Sequence, residues 1–90
     1  MIYSIDKKIL IKDTGEKIEL TYLESKLLES FKDENIVTYD KLAENLYKID
    51  TEKLEDSLKE IKSKLCKKTG IQFKTRYKIG YVLITNINFI

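Results

Sequence analysis

Ile71-Gln72-Phe73-Lys74-Thr75-Arg76-Tyr77-Lys78-Ile79-Gly80-Tyr81-Val82-Leu83-Ile84-Thr85 is the stretch on which the fold turns. Two β-rich runs, Ile71–Thr75 and Gly80–Thr85, flank a turn at Tyr77-Lys78, the pattern of an antiparallel hairpin. Gly70, just before it, is a stop signal for a helix, because glycine accepts the left-handed conformation that ends one. The hairpin carries Lys74, Arg76 and Lys78 and no acid. A basic, acid-free ribbon rich in Tyr and Thr is read either as a surface for polyanions or as a solvated face.

Upstream of Gly70 the spacing of Leu54, Leu58, Ile61 and Leu65 predicts a helix over about 52–68 with one apolar stripe. Thr38 can cap a shorter helix over 39–47 that turns Leu42, Ala43 and Leu46 inward. Thr21-Tyr22-Leu23-Glu24 fits a capping box opening a first helix over about 21–32, with Leu23, Leu27, Leu28 and Phe31 on one face. Asp13-Thr14-Gly15-Glu16 is a turn signal between β-rich runs, so residues 2–20 should form a small antiparallel sheet. Ile36-Val37 is a short apolar bridge. The expected fold class is α+β: a winged helix-turn-helix with a short N-terminal antiparallel sheet, three helices and a C-terminal β-hairpin wing over 71–85, all in one domain spanning 1–90.

The formal charge of +2 conceals a strong asymmetry. The first sixty residues hold ten lysines against all fifteen acids; the last thirty hold seven basic side chains and no acid. Partners respond to such local fields more than to net charge. Cys66 is the only cysteine and histidine is absent, so neither an internal disulfide nor an ordinary zinc site is expected, and no cofactor or metal is called for. There is no histidine base, no Gly-rich phosphate loop and no nucleophile motif, so the chain is not expected to be an enzyme. No apolar run approaches the ~20 residues of a membrane helix. Asp6, Lys7 and Lys8 interrupt any leader-like core. The expected location is the cytoplasm, with no membrane partner.

Three motifs in order carry a family resemblance. Leu20-Thr21-Tyr22-Leu23-Glu24 is similar to the Leu-Thr-x-x-Glu that opens the first helix of the OmpR/PhoB-type winged-helix output domains of bacterial response regulators. Leu58-Lys59-Glu60-Ile61-Lys62-Ser63-Lys64-Leu65 resembles that family's recognition helix, and Phe73 to Leu83 resembles its wing, with Thr75, Gly80, Tyr81 and Leu83 in register. The resemblance runs from about Ile2 to Leu83. It departs at Glu52 and Glu60, where the family is usually basic. It departs again at Tyr77 and Lys78, which stand where the wing has Arg and Gly, and at Tyr47, which stands for a Trp. No phospho-accepting receiver domain lies within these ninety residues.

The resemblance implies the DNA-binding domain of a transcription regulator in a two-component system, with double-stranded DNA as partner. It also implies RNA polymerase as a partner of the loop after the second helix, which is shorter here. A pair of domains on repeated half-sites is expected. Lys59, Lys62, Ser63 and Lys67 of the third helix are expected to approach the major groove and its phosphates. Lys74, Thr75, Arg76, Tyr77 and Lys78 would hold the flanking backbone or minor groove. Arg76 alone has a guanidinium fork. Thr38 and Tyr39 would offer a hydroxyl or amide to phosphate. The same third helix is ordinary in another light: acids first and lysines last suit its macrodipole, and Glu60–Lys64 is a favourable i,i+4 pair. The alternative is therefore a winged-helix protein-interaction module that has lost specific DNA binding.

Overall fold

The computed structural model describes residues 1–46 and 54–90. Among them the chain forms three helices and two sheets, a small α+β arrangement. The expected end of the second helix at Tyr47, the connection after it and the start of the third helix at Glu52 lie outside the described residues, as does the side chain of Leu54.

The N-terminal hairpin motif folds into strands β1 (Ile2–Ser4), β2 (Ile9–Ile11) and β3 (Lys17–Glu19). The β2–β3 turn is closed by Lys12 N–H donating to the Glu16 carbonyl at 2.9 Å and Gly15 N–H donating to Lys12 O at 2.8 Å. Alternation sends Tyr3 and Leu10 into the core and leaves Ile2, Ile9 and Ile11 on the outer side. The next element is α1 (Tyr22–Glu29). Its Thr21 cap is the predicted capping box: Thr21 N–H donates to Glu24 Oε1 at 2.8 Å and Glu24 N–H donates to Thr21 Oγ1 at 3.3 Å. The helix stops short of residue 32: Phe31 N–H and Lys32 N–H donate to the i−3 carbonyls of Leu28 and Glu29 at 3.0 and 3.1 Å, and the chain leaves through this tighter turn.

Strand β4 (Ile36–Thr38) takes the place of the expected apolar bridge and runs directly into α2 (Tyr39–Asn45). Helix α3 (Leu54–Thr69) follows, and Gly70 ends it at positive φ (81°), its N–H donating to Cys66 O at 2.8 Å. The hairpin is β5 (Phe73–Arg76) and β6 (Gly80–Leu83). It is not a free ribbon: β4 pairs with β6, giving a sheet in the order β4-β6-β5. A last strand, β7 (Asn88–Phe89), was not foreseen; it pairs in parallel with β1 and completes a sheet in the order β3-β2-β1-β7.

The core gathers Leu27 and Leu28 of α1, Phe31 of the turn after it, Leu42 and Leu46 around α2, Leu58 and Leu65 of α3, and Tyr3, Leu10, Val37 and Tyr81 from the sheets. At its edge Glu24 is nearly buried, and Lys68 Nζ of α3 reaches its Oε1 at 3.0 Å. Burial alone would raise this carboxyl, but the Thr21 amide, the Lys68 ammonium and the Thr21 hydroxyl outweigh it and hold it below its ordinary value. A carboxyl depressed by folding stabilises above its unfolded pKa, and that contribution is lost as pH falls through the depressed folded value. Melting temperature should therefore fall on acidification below about pH 4.5. Glu24→Gln, which no longer titrates there, should melt lower at pH 7 and show a smaller acid-dependent drop; parallel curves for the two proteins would rule this out.

Candidate nucleic-acid interface

Helix α3 packs on α1 and α2, and its Lys62 side chain reaches the hairpin. Lys62 Nζ donates to Thr75 Oγ1 at 3.4 Å and sits 4.9 Å from the centre of the Tyr81 ring. Tyr81 is 3% exposed, and its ring meets Tyr39 edge-on at 5.6 Å. The ring's negative face attracts the ammonium, and the lysine stem covers apolar surface beside it. Lys62 thus links α3 to both strands of the hairpin. Lys59, one turn earlier on α3, and Tyr77 of the hairpin complete a cleft of about 300 Å³ that also includes Asp56.

The expected residues separate into groups. Tyr39, Lys59, Lys62, Thr75 and Tyr77 meet in this cleft. Thr38 and Tyr39 meet Lys78 in an adjoining hollow with Asp40 and Ile79. Ser63 and Lys67 are exposed on α3 outside both. Lys74 and Arg76 are exposed, but strand alternation puts them on the opposite face of β5 from Thr75. The positive charge therefore flanks the ribbon on both faces. Among the described residues none of Lys59, Lys62, Lys67, Lys74, Arg76 and Lys78 forms an ion pair, whereas Lys64 is held by Glu60 at 3.2 Å and Lys68 by Glu24.

One expectation needs correction, and one is borne out: Thr38 caps α2. The Tyr39 amide is not available to a phosphate, because it donates to the Ile79 carbonyl at 2.9 Å; this bond ties the start of α2 to the hairpin turn. Thr38 Oγ1 accepts from Lys41 N–H at 3.2 Å as the cap of α2, leaving its exposed hydroxyl proton as what it can offer a ligand. At the hairpin tip Tyr77 is 82% exposed, and Lys78, at φ +60°, holds its ammonium 5.3 Å from the Tyr77 ring.

Asp56 and Tyr81 also line the cleft and are not among the expected site residues. The i,i+3,i+6 spacing of Asp56, Lys59 and Lys62 was the available signal for the first. The second depends on the β5–β6 register, which sets Tyr81 opposite Thr75. Cys66, half-buried on α3, has its thiol pushed up by burial, with the Lys62 ammonium and a Phe73 backbone hydrogen bond pulling the other way; the net effect keeps it protonated and unreactive.

Comparison with family models, with curated proteins and with solved structures finds no match. Among the described residues no helix is long and apolar enough to cross a membrane.

Proposed function

We propose that this chain is a winged helix-turn-helix DNA-binding domain of a bacterial transcription regulator, similar to the OmpR/PhoB-type output domains. In this reading α3 enters the major groove and the β5–β6 hairpin holds the flanking backbone or minor groove of double-stranded DNA. The observation that carries it is the seam between α3 and the hairpin. Lys62 bridges to Thr75 and Tyr81, which supports helix and ribbon acting together, and among the described residues both parts carry cations without an ion pair. The element order supports the reading: a short helix tied by its first amide to the hairpin turn, then a longer helix, then the ribbon. A pair of such domains on repeated half-sites, and RNA polymerase as a further partner, belong to the same proposal.

A fluorescence-polarisation titration of the full chain on a random-sequence duplex tests it. With about five basic groups on phosphates, log K should fall with log[salt] at a slope of about −4 to −5. A complex indifferent to salt contradicts the proposal. A protein-interaction module is the second reading, favoured by Tyr77 and Ile79 standing 82% and 53% exposed around the hairpin turn. Absence of any complex at low salt decides for it.

A further inference from the structure

We infer that Asp56 is a specificity-determining residue whose carboxylate accepts the exocyclic amino group of a cytosine in the major groove. The inference rests on the DNA-binding reading above and names what its cleft reads.

Asp56 lies two residues into α3 and lines the cleft between that helix and the hairpin, together with Lys59, Lys62 and Tyr77. Its side chain is exposed, and among the described residues it has no ion-pair partner, although two lysines share its cleft. An ionised carboxylate is an acceptor only. Facing phosphate it repels, so a surface that merely tracked the DNA backbone would bind more tightly without it. Facing bases it discriminates. Guanine shows two acceptors in the major groove, thymine one acceptor and a methyl group, and adenine an acceptor beside its amino group. Cytosine shows its amino donor alone, so it is the base a carboxylate accepts from without opposing another acceptor. Lys59 and Lys62 follow at one-turn spacing on the same side of α3 and are placed to hold the flanking phosphates. The net result is lower affinity for arbitrary sequence and a preference at one position.

An acid near the start of a helix also complements the macrodipole. That role acts on stability alike for every DNA sequence, so it leaves base preference untouched and can be separated from recognition.

The experiment is a selection from a random duplex library with the full chain, wild type against Asp56→Asn and Asp56→Glu. Melting curves and polarisation titrations on random duplex accompany it. The wild type should enrich a motif with cytosine fixed at one position. Asp56→Asn should lose that preference about tenfold while keeping the rest of the motif, since an amide both donates and accepts and can pair with adenine. It should also bind random duplex more tightly. Asp56→Glu, still acceptor-only, should retain cytosine. An Asp56→Asn motif identical to the wild type at every position, with only a shifted melting curve, overturns the inference and leaves the DNA-binding reading standing. Failure of the wild type to bind any duplex at low salt overturns both.

Discussion

Gly80→Ala is expected to cost on the order of 3 kcal/mol or more of folding stability, above the usual range for overpacking. Gly80 opens β6 where β4 lies against it, opposite Thr38 on one side and Arg76 on the other. A Cβ built there would stand 2.0 Å from the Val37 carbonyl oxygen and 2.8 Å from Thr38 Cα. Both are backbone atoms, so no side chain can rotate aside. The strands would have to part. That would break the pairing of Val37 with Tyr81 in the core and the Tyr39 N–H to Ile79 carbonyl bond that positions α2. A domain of this length holds about 5–13 kcal/mol in all, so the variant should show a large fall in urea midpoint and a partly unfolded population at 37 °C. A loss below about 1 kcal/mol would mean that β4 and β6 separate cheaply, and the hairpin would then not be a rigid part of the site.

The same glycine illustrates what the sequence could and could not disclose. Its place after a polar turn announced the start of a strand, but its purpose is room and not a left-handed backbone, and room is a property of β4, more than forty residues away in the chain. Elements written in local chemistry were legible. Thr21 and Glu24 specify their own hydrogen bonds, and the helical spacing of Leu58, Ile61 and Leu65 specifies a face without reference to the rest of the chain. Strands β4 and β7 were not legible. Neither is joined to its partner by a local turn: β4 pairs with β6 and β7 with β1, both distant in sequence, whereas the similarly short β2 and β3 are joined by a turn signal.

The candidate site divides along the same line. Its charge was visible as a count, because seven basic residues and no acid follow residue 60. Its grouping was not. Whether Thr75 or Arg76 turns toward α3 depends on strand register, and register placed Thr75 under Lys62 and Arg76 on the far face. The loss of the Tyr39 amide to the hairpin carbonyl was hidden for the same reason: a cap residue announces which group it satisfies within its helix, not what a strand from elsewhere takes up.

Removal of the hairpin cations should weaken DNA binding about 100-fold at ~0.15 M salt, equally on all sequences, if the proposed function holds. The variant is Lys74→Ala, Arg76→Ala and Lys78→Asn together; asparagine is chosen at the last position because its backbone has a φ of +60°, which asparagine tolerates better than alanine. All three side chains are exposed and unpaired among the described residues, and none contributes to the core, so the fold and its melting temperature should persist. Each phosphate contact contributes about 0.9 to the slope of log K against log[salt], so the slope should shrink from about −4.5 to about −2. The reading is sharpened by the geometry. Lys74 and Arg76 lie on the face of β5 turned away from α3, so a duplex docked only against the α3 cleft would not reach them. A full loss of affinity requires the hairpin to stand edge-on to the DNA, with its two faces meeting phosphates on either side of a groove. A loss confined to A/T-rich duplexes would instead place Arg76 inside a narrow minor groove. Unchanged affinity and slope would remove the hairpin from the interface, and with it the reason for treating helix and ribbon as one surface.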